Sequence, residues 1–257
     1  SYPRQMLLGA MDDNRLIYHM GADIAKQLRR IGVHVNFAPV VDINNNPNNP
    51  VINTRSFGED KDAVTQKGLA YMLGMQDNGV LACAKHFPGH GDTDTDSHHA
   101  LPFLNHSLER LDSIEFHPFR LLVKNGVAGV MVAHMELPAL EPQKNLASSL
   151  SENVVSTLLK NQLGFKGLTF TDALNMKGVS NFFKPVEINY QALKAGNDIL
   201  LFPLEVKASI SKIEKEVKKG RFPAEEIEKR CRKVIEAKYR VGLNDYSSIR
   251  IDSIIAD

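Results

Sequence analysis

The sequence predicts an α/β fold on a parallel sheet, and within that class a (β/α)8 TIM-type barrel with about five β/α units present. Three observations predict it. Apolar residues recur alternately with the helical period and as short β-branched runs along the whole chain. The strand runs are almost wholly apolar, as a parallel sheet covered on both faces requires. Polar and titratable residues stand where those runs end, at Asp42, Lys85-His86, His134 and Asp172. In such folds sites form at the carboxyl ends of strands. A doubly wound sheet also fits the alternation; the spread of polar ends over several strands, not one switch point, favours the barrel.

Leu16, Ile17, Met20, Ile24, Leu28 and Ile31 carry the helical period over 13–31, and Gly32 stops it. Residues 33–43 read as a strand and the Asn/Pro stretch after them as a loop. A helix over 62–78 precedes a strand over 80–86. A helix over 107–124 precedes a strand at 127–134, and a helix over 151–163 a strand at 167–172. A helix over 187–195 and a strand at 198–202 follow. Amphipathic helices fill 204–241, the last opening near Pro223, which suits a first helical turn. Residues 1–257 thus read as one barrel domain, with the tail 244–257 leading towards another. A closed barrel takes about eight strands. The chain opens directly into a loop and helix, so the N-terminal strands are expected to lie outside it.

Lys plus Arg number 31 against 30 Asp plus Glu, a net charge of +1, which gives no electrostatic footprint for nucleic acid or an anionic membrane. Basic runs at 212–219 and 229–240 are interleaved with Glu214, Glu216 and Glu236 and read as solvated helix faces. The two cysteines, Cys83 and Cys231, have neither disulfide-framework nor zinc-finger spacing. No apolar run reaches the ~18 residues of a membrane span, and no signal-peptide pattern opens the chain. A trimmed chain would look the same. The compartment stays open between bacterial cytoplasm and, after loss of a leader, periplasm or cell envelope.

The densest signal runs from Lys85 to His99, KHFPGHGDTDTDSHH, out of a buried strand into a loop hinged by Gly89 and Gly91. Asp96 and His98 stand two apart, on the same side of an extended loop. A carboxylate beside an imidazole stabilises its cation and makes a proton carrier for near-neutral pH. The same string offers His86, His90, His98 and His99 with Asp92, Asp94 and Asp96 as metal ligands. It lacks any recognised metal spacing, and no metal site is predicted. An apolar strand delivers Asp172, either as a helix cap or as a nucleophile towards an anomeric carbon. Arg55 either clamps a ligand or ties down its own loop. His134 reads first as a satisfied, semi-buried histidine.

Together the strand Asn36-Phe37-Ala38-Pro39-Val40-Val41-Asp42, Arg55-Ser56-Phe57-Gly58, the Lys85-to-Gly91 string, Asp96-Ser97-His98, Val132-Ala133-His134 and Thr171-Asp172 resemble glycoside hydrolase family 3, in its β-N-acetylhexosaminidase branch. The resemblance implies a retaining glycosidase with Asp172 as nucleophile and His98, paired with Asp96, as general acid/base. It implies Arg55, Lys85 and His86 as contacts to the hydroxyls of N-acetylglucosamine. His134 and Met176 are further candidate substrate contacts. No cofactor is implied. The resemblance further implies a terminal N-acetyl-β-glucosaminide as substrate, with muropeptides in peptidoglycan recycling, chitin fragments and glycan termini left open as its source. The family's acidic, glycine-rich motif, which supplies an aspartate and an arginine to the sugar pocket, does not occur in these residues. Three alternatives stay open: a phosphorolytic relative, a non-catalytic sugar- or peptidoglycan-binding module, and a zinc-dependent hydrolase.

Overall fold

The computed structural model describes residues 2–96, 100–246 and 248–249. His98 lies outside the described residues. The chain opens with α1 (Gln5–Gly9) and α2 (Asn14–Arg30). Asp13 starts α2 by accepting from the Arg15 N–H, satisfying a donor that the first turn leaves orphaned. Asp60 does the same for α3 (Lys61–Gln76), accepting from Ala63 N at 2.7 Å.

Strands β1 (Val35–Asn36), β2 (Leu81–Phe87), β3 (Gly129–Val132) and β4 (Leu168–Thr171) lie side by side in chain order, all parallel. Register is unbroken between the last two, from Gly129 opposite Leu168 to Val132 opposite Thr171. The first strand is shorter than the 33–43 run predicts. Pro39 has no N–H for a ladder, so beyond Asn36 the pairing shrinks to single bonds and a bridge between Val40 and Lys85. Residues 198–202 also fall short of a regular strand. They attach to β4 by a bridge between Ile199 and Phe170, with Ile199 O accepting from Thr171 N at 3.1 Å. Among the described residues the sheet is therefore open, with β1 at one edge and the Ile199 segment at the other.

The helix predicted over 107–124 is broken into α4 (Leu108–Ser113) and α5 (Phe116–Lys124). Pro118 cannot donate to the Ile114 carbonyl four residues earlier, and its ring collides with it, so the helix restarts. Residues Asn153–Gln162 wind as a π-helix. The short helix α6 (Lys177–Ser180) leads into α7 (Pro185–Ala195), and α8 (Val206–Lys218) and α9 (Ala224–Arg240) follow. No helix among the described residues is long and apolar enough to cross a membrane.

Alternation along the strands divides the core. Ala82, Ala84, Val130 and Val132 join a cluster with residues of α2, α3, α5 and the π-helix. Cys83, Met131 and Phe170 belong to a second cluster, against which Phe37, Leu201 and Val234 of α9 pack. Phe87 at the end of β2 is fully buried and edge-on to Phe119, ring centroids 5.1 Å apart. Its burial contributes about 2–3 kcal/mol and fixes the strand end from which the His-rich loop departs.

Candidate active site

Asp42 follows the first strand and is fully buried. Its carboxylate accepts from His90 N at 2.7 Å, from His86 N at 3.1 and 3.2 Å, and from His86 Nδ1 at 2.7 Å. Burial alone would raise the Asp42 pKa. The neighbouring His86 and His90 and the backbone donor of His90 outweigh it, and the carboxyl sits below its ordinary value. With Nδ1 committed to Asp42, His86 turns Nε2 towards Arg55, 3.3 Å from Nη2. Arginine can only donate, so Nε2 accepts and the ring proton belongs on Nδ1.

A cavity of about 230 Å³ opens beside this pair, lined by Arg55, Lys85, His86, His90 and Asp172 together with the apolar Phe37, Met131, Leu201 and Phe202. Larger clefts lie elsewhere. The one between α8 and α9 measures about 530 Å³ and is faced mainly by Ile210, Ile213, Val217 and Ile227, with no convergent set of titratable groups.

Asp172 stands where β4 ends. Its N–H donates to Val132 O at 2.9 Å, and Oδ1 accepts from Ala173 N at 2.8 Å. Oδ2 has no hydrogen-bond partner among the described residues and belongs to a side chain that lines the cavity. Burial pushes this carboxyl up; His86, His134, the Ala173 N–H and Lys85 pull it down further, so it lies below the ordinary range. Burial also lowers the His134 pKa. Lys85 is itself lowered, by burial first and by the Arg55 charge next.

Of the residues singled out in the sequence, Arg55, Lys85, His86 and Asp172 meet in the one cavity. His134 does not line it. That ring is fully buried, with Nδ1 2.7 Å from Ser149 Oγ and Nε2 3.0 Å from the Ala173 carbonyl, where it steadies the backbone after Asp172. Met176 is buried at the N-terminus of α6, also away from the cavity lining. Asp96 lies on the His-rich loop, outside the lining; His98, expected to pair with it, is not among the described residues. Among the described residues no group of three His, Cys, Asp or Glu converges as a metal site.

Gly89, at φ 133°, fits the expectation of a special backbone angle. Gly91 serves differently: a Cβ there would stand 1.8 Å from the Ile43 carbonyl oxygen, so close approach excludes a side chain. Sequence reasoning gave Asp42 no role beyond a polar strand end and missed Asn49. The first was detectable as a carboxylate closing an apolar strand. The second sits unmarked in an Asn/Pro stretch.

A carboxylate, a lysine, an arginine and a carboxylate-held histidine thus meet at the carboxyl edge of a parallel sheet, where α/β proteins place their sites. Residues 1–237 match the glycosyl hydrolase family 3 N terminal domain. The chain is 43% identical over 194 residues to Beta-hexosaminidase A of Pseudoalteromonas piscicida, covering 72% of this chain and 32% of that protein. The solved glycoside hydrolase family 3 β-N-acetylglucosaminidase from Paenibacillus sp. str. FPU-7 superposes with a TM-score of 0.91 at 42% identity, over 96% of this chain and 47% of that one. Beta-glucoside phosphorylase BglX superposes with a TM-score of 0.90 at 25% identity, over 96% and 46%. The chain belongs to glycoside hydrolase family 3. It spans about a third to a half of the length of the curated relatives just beyond and including the first.

Proposed function

We propose that this chain carries the nucleophile and sugar pocket of a retaining β-N-acetylhexosaminidase acting on terminal N-acetyl-β-glucosaminides. The observation that carries the reading is Asp172: one carboxylate oxygen is tied to a backbone N–H, and the other, without a hydrogen-bond partner among the described residues, is on a side chain lining the cavity. A carboxyl held below its ordinary pKa stays ionised at neutral pH and ready to attack. In the first step Asp172 Oδ2 bonds to the anomeric carbon while the glycosidic C–O bond breaks, and the departing oxygen takes a proton from His98, supported by Asp96. In the second, water gives its proton back to His98 and attacks the same carbon. The glycosyl–aspartate bond breaks and configuration is retained. Arg55, Lys85 and His86 hold ring hydroxyls, and the apolar lining residues take the sugar's less polar face. The parallel strand order, with a helix after each strand, supports assigning the sheet to a (β/α)8-type barrel domain.

The names of the hexosaminidase relatives support the substrate class, and the phosphorylase among the structural neighbours supplies a second acceptor to test. An aryl N-acetyl-β-glucosaminide should be turned over, and Asp172→Ala should lower kcat/KM by more than about 10³-fold. Saturable sugar binding without turnover would replace the enzyme by a binding module. A sugar phosphate released on adding inorganic phosphate would replace hydrolysis by phosphorolysis.

A further inference from the structure

Asn49 is 1% exposed and uses both ends of its amide. Oδ1 accepts from Val51 N at 2.9 Å and Ile52 N at 2.8 Å, closing the turn from which Arg55 projects. Arg55 N in turn donates to Ile52 O at 2.8 Å, and the guanidinium to Val51 O at 3.2 Å. Nδ2 donates in the other direction, to His90 O at 2.8 Å, Gly91 O at 3.1 Å and Thr93 Oγ1 at 3.4 Å. The amide cannot sit flipped, since its oxygen would then face two carbonyls and its nitrogen two N–H groups.

The stretch that Asn49 grips is the stem of the His-rich loop, between the end of β2 and Asp96. The same stem is held from its far side. Asp92 pairs with His106 at 2.6 Å and Arg110 at 3.5 Å, and Arg110 is anchored on the buried Glu115 at 2.6 and 2.8 Å. Thr93 Oγ1 closes the stem internally, 2.7 Å from His90 Nδ1. One side chain therefore fixes the Arg55 wall of the cavity and the departure point of the loop relative to each other.

We infer that Asn49 is a positioning residue which sets the register between the Arg55-held sugar and the loop that delivers the proton donor. The inference rests on the functional reading above, with His98 as acid/base. Asn49→Asp keeps the acceptor half, and so the Arg55 turn. It replaces the donor half by an oxygen facing two carbonyls, and so loosens the stem alone. Thr93→Val is a second, isosteric way to loosen the stem without touching Arg55.

The test compares kcat/KM on aryl N-acetyl-β-glucosaminides with a good leaving group, dinitrophenol, and a poor one, phenol. A dinitrophenolate departs without a proton, whereas a phenolate needs the general acid, whose contribution is about 10²–10⁴-fold. Asn49→Asp should lose about 100-fold on the phenyl glycoside and under about 5-fold on the dinitrophenyl glycoside, the same discrimination expected of His98→Ala. Inhibition by N-acetylglucosamine should stay within about twofold of the parent, because the Arg55 turn persists. If Asn49→Asp and Thr93→Val fold but slow both substrates equally while His98→Ala discriminates, the inference fails and the functional reading stands. If the parent turns over neither substrate, or His98→Ala does not discriminate, the reading itself fails and the inference with it.

Discussion

Hydrogen bonds from His86 N, His86 Nδ1 and His90 N converge on the Asp42 carboxylate, which has no exposed surface. A buried charge is costly unless so satisfied, and removing its partners or the charge itself leaves the rest unpaired. Asp42→Asn puts an NH₂ against donors and should cost about 3 kcal/mol. The pH dependence has a definite sign. The folded carboxyl lies below its ordinary value of 3.8. Between those two values the unfolded chain binds the extra proton, so stability rises with pH across that window. The stabilisation is fully present above about pH 4 and disappears as pH falls through the folded value. Urea midpoints for parent and Asp42→Asn should therefore converge on acidification; a gap that stays constant in strongly acidic buffer contradicts the assignment.

At the scale of elements, α2 and α3 cross with backbone almost on backbone. A Cβ on Gly74 would stand 2.1 Å from the Tyr18 carbonyl oxygen, and one on Gly21 would stand 2.7 Å from that of Tyr71. Helix propensity favours Gly74→Ala by about 1 kcal/mol. Overpacking against rigid backbone costs about 1–3 kcal/mol, and at this separation the upper end applies. The substitution should lower stability by about 2 kcal/mol and Tm by about 4–8 °C; an unchanged or raised melting temperature would show that the helices separate freely. The sequence made these helices readable because their apolar period, caps and glycine stops are local. The interruptions are local too. Pro39 shortens the first strand and Pro118 splits the helix over 107–124, each by a missing N–H. Of the cavity lining, Lys85, His86 and Asp172 were legible as polar residues near the ends of apolar strands, and Arg55 only through the family resemblance of the string Arg55-Ser56-Phe57-Gly58. Asn49 was not, because its partners His90 and Gly91 are 41 and 42 residues away and no nearby pattern marks it.

Across the whole molecule, the end of the sheet opposite the cavity is closed by charge as well as by packing. The Asp198 side chain is 1% exposed and accepts from Thr169 N and Thr169 Oγ1, both at 2.8 Å. It also pairs with Lys233 of α9 at 2.5 Å and Lys160 of the π-helix at 3.3 Å. Lys160 reaches the Gly196 carbonyl as well, and Arg230 of α9 donates to Asn197 O at 3.0 Å. One carboxylate thus joins β4, the π-helix just before it in the chain and the distant α9. Burial would raise the Asp198 pKa; the two lysines overcome it and hold it low. Burial in turn pushes Lys160 down to about 8, so its charge depends on Asp198 remaining. Asp198→Ala leaves two partly covered lysines and two Thr169 donors without their shared acceptor, a loss of about 3–5 kcal/mol. In a chain of this size that corresponds to roughly 6–20 °C in Tm. Because Asp198 lies at the amino end of β4 and Asp172 at its carboxyl end, the variant should keep the parent's kcat/KM at temperatures well below its own transition. A large drop in kcat/KM in the cold, with melting unchanged, would reverse the assignment and make Asp198 part of the site.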